Sequence, residues 1–181
     1  MSKSRPKILG EVPYLDPRTQ PPLVPRKLYS SAIVENRNGP GHVDLFNYHV
    51  GDPIPGSHRV AATITDTNLD STHPIHRIPI TFQSVTVAIP LTVPERFDKD
   101  GITRRADAWA SRWILQIGTQ ERILYETPVT ELTHHDVPGV TLYRERTEIA
   151  IRPDEKPAGR LVWSDPVESG TALLVRVTLG F

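Results

Sequence analysis

The sequence contains no cysteine, and its only methionine is Met1. Disulfide frameworks, thiolate metal sites and cysteine nucleophiles are thereby excluded. Asparagine is confined to Asn36, Asn38, Asn47 and Asn68, and glutamine to Gln20, Gln83, Gln116 and Gln120. Scarcity of these four residue types, joined to many prolines, is the pattern of a protein kept at high temperature. A GC-rich genome, which favours Pro, Arg and Val, produces part of the same bias. Formal net charge is zero, so no global positive field draws the chain to nucleic acid. No apolar run approaches the ~20 residues of a membrane-spanning helix. Residues 1–10 lack the apolar centre of a signal peptide, and entry into a secretory route is not expected. There is no G-x-S-x-G and no glycine-rich phosphate loop.

The chain has 181 residues, 38% hydrophobic and 23% charged. Those values suit one globular β domain with its own core. Proline is abundant, at 18 residues, and it divides the chain. Residues 1–27 hold Pro6, Pro13, Pro17, Pro21, Pro22 and Pro25. Proline lacks a backbone donor and fixes φ, so this stretch joins neither a helix nor a central strand and reads as an extended arm. Six cations, among them Arg26 and Lys27, oppose only Glu11 and Asp16, a net of +4 that the remainder balances with −4. Ile8, Leu9, Val12, Tyr14, Leu15, Leu23 and Val24 are apolar residues that a purely solvated tail does not need. The expected partner contacts are therefore Ile8, Leu9, Tyr14, Leu15, Leu23, Val24, Arg26 and Lys27, draped over a neighbour.

From residue 28 the pattern has period two, which marks strands with one buried face. Val85, Val87, Ile89, Leu91 and Val93 alternate with polar or small residues, and Trp113, Leu115 and Ile117, and Leu173, Val175, Val177 and Leu179, recur at the same spacing. Residues 140–152 predict a long strand with an irregular centre at Arg144–Arg146. Shorter strands are expected at 28–34, 42–50, 58–65, 75–82, 121–126 and 160–164, and one connecting helix at 103–113. Breaks such as Gly39-Pro40-Gly41, Asp100-Gly101 and Pro138-Gly139 carry turn residues. Eight to ten short strands with turns between them give an all-β sandwich or barrel over 28–181.

Few residues offer chemistry. His73 and His76, with His134, His135 and Asp136, are the metal-like clusters. His73 and His76 flank Pro74 in a loop, and adjacent His134 and His135 point apart if extended, so no metal site is expected. Asp66 with Asp70, and Asp98 with Asp100, sit among turn residues that use Asp for local hydrogen bonds. Asp98-Lys99-Asp100-Gly101 lacks the downstream ligands of a calcium loop. No catalytic residue and no cofactor is assigned. Trp109, Trp113 and Trp163 are candidates for sugar stacking in a carbohydrate-binding sandwich, or for core positions.

The run Arg112-Trp-Ile-Leu-Gln-Ile-Gly-Thr-Gln-Glu-Arg-Ile-Leu-Tyr-Glu-Thr-Pro-Val, following a proline-rich basic arm and set in an all-β body, resembles the central hairpin of jelly-roll capsid proteins from tailless icosahedral phages. With its thermophilic bias the chain is similar to the small major capsid proteins of Thermus phages that carry an internal membrane. The resemblance implies a single jelly roll of about eight strands. It also implies a virion location, self-pairing or pairing with a larger capsid protein, and a shell laid over lipid. Direct nucleic-acid contact is not expected, and no catalytic residues transfer.

Proline-restricted loops and few thermolabile side chains predict a domain that stays folded above the mesophile range of about 45–65 °C. Calorimetry checks this, and a midpoint inside that range removes the thermophile reading.

Overall fold

Alternating burial decides which residues form strands and which way each strand faces. A computed structural model describes residues 27–35, 41–57, 60–69, 79–90, 112–153, 155–164 and 172–181. Within them run β1 (Lys27–Glu35), β2 (Gly41–Leu45), β3 (Ile80–Pro90), β4 (Ile114–Thr119) and β5 (Ile123–Pro128). These are followed by β6 (Thr133–Val137), β7 (Val140–Ile151), β8 (Pro157–Trp163) and β9 (Ala172–Gly180). One short 3-10 turn, Val129–Glu131, follows β5. In β3, Val85, Val87 and Ile89 are buried while Ser84, Thr86 and Ala88 are half-buried, and Leu173, Val175, Val177 and Leu179 are buried along β9.

The strands form two antiparallel sheets, in the orders β1-β9-β3-β7-β6 and β2-β8-β4-β5. The pairing is nested: β1 with β9, β2 with β8, β3 with β7 and β4 with β5. Pairs β3–β9 and β4–β8 join the nested pairs into sheets. This is one long hairpin rolled into a sandwich, which is the jelly-roll topology. β6 lies outside the eight nested strands, paired to β7 at the margin of the five-stranded sheet. The inner faces meet over a single core that includes Phe82, Trp113, Leu115, Ile117, Ile149 and Leu161. Residues 112–129 contain the β4–β5 hairpin, the innermost nested pair.

The stretches read as 75–82 and 85–93 contain one strand, β3, over their described residues. Ile80 and Phe82 are buried, then Val85, Val87 and Ile89, so the inward parity changes once. The cause is a bulge: Phe82 pairs with Ile149 but Ser84 pairs with Arg146, leaving Thr147 and Glu148 opposite Gln83. The irregularity expected at Arg144–Arg146 thus falls one to two residues later, and Tyr143 is buried while Leu142 is half-buried. β2 ends at Leu45, short of the expected 50, because Phe46 turns the chain with φ of 60°. Residues 60–65 make no strand; Ala61 forms only an isolated bridge with Pro53. Thr133–Val137, not among the expected strands, is a strand. Arg112 and Trp113 form a turn into β4, and the rest of the expected helix at 103–113 lies outside the described residues.

The segment from Phe46 to Leu69 closes the outer edge of β1. Ser31 N–H donates to the Asp66 carbonyl at 2.8 Å and Ile33 N–H to the Pro55 carbonyl at 2.8 Å. Tyr29 N–H donates to Asn68 Oδ1 at 3.0 Å, and Asn68 Nδ2 donates to the Lys27 carbonyl at 2.6 Å. Tyr48, Ile54, Val60 and Ala62 form a second small core over Ile33 and Leu174. Gly56 sits at φ of 85°, and a Cβ there would lie 1.7 Å from the Ile33 carbonyl oxygen, so this close approach admits only glycine. On the opposite side of the sandwich, Tyr125 O–H of β5 donates to the Glu145 carboxylate of β7, tying the two sheets together.

Tyr48 is the anchor of this edge seal. Its hydroxyl donates to the Ser31 carbonyl at 2.6 Å and accepts from Ser31 N–H at 2.9 Å. Burial, aided by the Asp66 carboxylate, pushes its phenol up to about 12. A raised folded-state pKa means stabilisation that is complete below pH 10 and is lost as pH rises from 10 towards 12. Tyr48→Phe should cost about 1–3 kcal/mol in urea unfolding, since it leaves the buried Ser31 carbonyl unpaired. The variant should also lose part of the alkaline destabilisation; an unchanged midpoint and pH profile would refute the anchoring role.

Candidate functional site

Register and burial define the outer face of the four-stranded sheet as a set of cross-strand rows. His42, Val162, Ile114 and Pro128 lie on adjacent strands in one row. The next row is polar: Asp44, Arg160, Gln116 and Glu126. Arg160 Nε donates to Asp44 Oδ1 at 2.7 Å, and Gln116 Nε2 to Glu126 Oε2 at 2.6 Å. The third row holds the small residues Ala158 and Gly118. Their smallness leaves a depression of about 490 Å³ rimmed by Asp44, Asn47, Gln116, Arg122 and Arg160. Beside it, Ile123 is 57% exposed. Gly118 is required there: a Cβ would fall 2.1 Å from the Arg122 carbonyl oxygen, where β4 bulges against β5.

Asp44, Glu126 and Glu155, near this depression, are engaged. Asp44 holds Arg160 and Glu126 holds Gln116. Glu155 accepts from Arg152 N–H at 3.0 Å and pairs with Arg122 at 3.0 Å. The Arg152 N–H, with the Arg122 guanidinium, holds the Glu155 carboxyl below the ordinary carboxylate range. Such a surface can offer complementary charges and a shallow hollow to a partner. A second crevice, of about 770 Å³, runs between the free side of β2 and residues 52–57.

The residues singled out from sequence scatter. His134 and His135 lie consecutively on β6, pairing with Tyr143 and Leu142. Both are exposed, and the His134 ring tilts against Tyr143 at 5.2 Å between centroids. Among the described residues no group of three His, Cys, Asp or Glu is placed to hold a metal. Asp66 is buried and its carboxylate accepts from Thr63 N–H at 2.8 Å and Thr63 Oγ1 at 2.9 Å, a turn-closing role. Trp113 and Trp163 are 1% and 6% exposed within the core, so neither ring is a sugar-stacking platform; among the described residues their indole N–H groups find no acceptor. Lys27 is exposed and opens β1 opposite Gly180. Ile8, Leu9, Tyr14, Leu15, Leu23, Val24 and Arg26 lie outside the described residues, as do His73, His76, Asp70, Asp98, Asp100 and Trp109. Sequence reasoning missed the polar row, although the alternation of His42 and Asp44, and of Arg160 and Val162, signals it.

No protein-family model, curated protein or solved structure matches this chain.

The surface pair and the buried glycine predict opposite responses. Arg160→Ala should change stability by no more than about 1 kcal/mol, as for other exposed ion pairs. Gly118→Val forces the β4–β5 turn apart and should cost well over that, measured by urea unfolding. Equal effects of the two substitutions would contradict the packing described here.

Proposed function

We propose that this chain is a structural subunit of an icosahedral viral shell, a jelly-roll capsid protein that associates with its own copies and with a second, larger capsid protein. The observation that carries the reading is the nested eight-strand roll with a proline-rich basic arm running directly into β1. Jelly rolls serve many roles, so the arm matters as much as the fold. A shell needs a rigid body and a connector. Two sheets packed over one core supply the body. The arm supplies the connector, since extended backbone can lie along a neighbour's surface or sheet edge. Its prolines reduce the entropy lost on ordering, and Ile8, Leu9, Tyr14, Leu15, Leu23 and Val24 supply apolar contacts. Exchange of identical segments is a low-cost route to a two-fold pair.

The arm's +4 charge complements the −4 of the remainder, which favours a neighbour's body as its target. The same charge is attracted to anionic lipid beneath a shell, at about 1 kcal/mol per basic residue, fading with salt. Burial of Trp113 and Trp163 weighs against the alternative of a carbohydrate-binding module.

Deletion of residues 1–26, which leaves β1 whole, should yield a protein folded by circular dichroism but of lower oligomeric mass by light scattering. A truncated chain that keeps its mass and still joins a shell would make the arm an ordinary tail.

A further inference from the structure

The margins of the two sheets are treated unequally. The outer edge of β1 is sealed by the bonds from Pro55, Asp66 and Asn68. The free side of β2 faces the crevice against residues 52–57. β5 ends in Pro128 and is tied through Tyr125 to β7. β6 differs. Among the described residues it pairs with β7 alone, and Thr133, His134, His135 and Val137 are all exposed, Val137 by 42%. It carries no proline, no lysine and no bulge, three of the devices that blunt an edge. An open edge kept in a folded protein is a template for another strand.

The strand's own sequence names the occupant. Read against itself in antiparallel register about His135, Thr-His-His-Asp-Val sets Thr133 opposite Val137 and His134 opposite Asp136. The first is a pair of β-branched residues and the second matches a basic residue type with an acidic one, both favourable as cross-strand neighbours. A two-fold axis requires this self-complementarity, because each contact occurs twice. We infer that β6 is a self-pairing edge: β6 of a second copy adds antiparallel to it across a two-fold axis at His135, joining two five-stranded sheets into one of ten strands. The inference deepens the self-association reading above by naming the surface that carries it.

The absence of native cysteine makes the register directly testable in the full-length chain. His135→Cys should cross-link to a dimer with a short bismaleimide, because the two copies of residue 135 oppose each other at about 5 Å. Thr133→Cys alone should not, since its copies lie four residues apart along the strands, about 13 Å. The double variant Thr133→Cys with Val137→Cys should link efficiently, and Ile123→Cys on the other sheet should not. His135→Lys should lower the mass seen by light scattering while circular dichroism stays unchanged. A wild-type chain monomeric at all concentrations overturns both this inference and the self-association reading. An oligomer that ignores His135→Lys and does not link at residue 135 overturns the β6 pairing alone, and leaves association through another surface.

Discussion

The pairing of β1 with β9 is the constraint on which the rest of this molecule depends. It joins Lys27 to Gly180 and Glu35 to Ala172, so the two ends of the described chain lie side by side. Every other nested pair is enclosed by it. Once β9 is held between β1 and β3, Leu28, Ala32 and Val34 join Val175, Val177 and Leu179 in one buried layer. Long-range antiparallel pairing of this kind carries a large loop-closure cost before its contacts form, which favours slow, cooperative folding.

The same closure leaves β1 as an outer strand, and an outer strand is a hazard unless it is covered. The segment from Phe46 to Leu69 covers it with backbone acceptors, one tyrosine hydroxyl and one asparagine side chain. Tyr48 connects that cover to both the Ser31 backbone and the Asp66 carbonyl. The far margin, β6, has no such cover among the described residues. A molecule that seals one edge of a sheet and leaves the other open has a defined direction in which the sheet can continue. That directionality stands independently of the charge on residues 1–27.

Much of this was legible in the sequence, for physical reasons that vary by element. Period-two alternation gave β9 and most of β3, because those strands bury one face uninterrupted over at least three inward residues. Reading failed where a local device broke the period. The bulge opposite Gln83 shifted the inward parity of β3, so one strand looked like two. Phe46 at positive φ cut β2 short without any glycine or proline to announce it. β6 was hidden because an exposed edge strand buries almost nothing, and two histidines invite a chemical reading before a structural one. The covering segment was illegible for another reason. Two of its bonds, from Ser31 N–H and Ile33 N–H, go to backbone carbonyls, which carry no sequence signature. The polar row from Asp44 to Glu126 spans four strands, two of them, β2 and β8, far in sequence from each other and from the β4–β5 hairpin, and only the nested register brings it together.

Amide hydrogen exchange followed as a function of protein concentration tests this asymmetry most directly. Ser31 and Ile33 of β1 are bonded within the molecule, so their exchange should be slow and independent of concentration. The outward-facing amides of β6 should exchange quickly in dilute protein and become protected as concentration rises. Equal exchange of the β6 amides at every concentration, or rapid exchange at Ser31 and Ile33, would contradict an account built on one sealed edge and one open one.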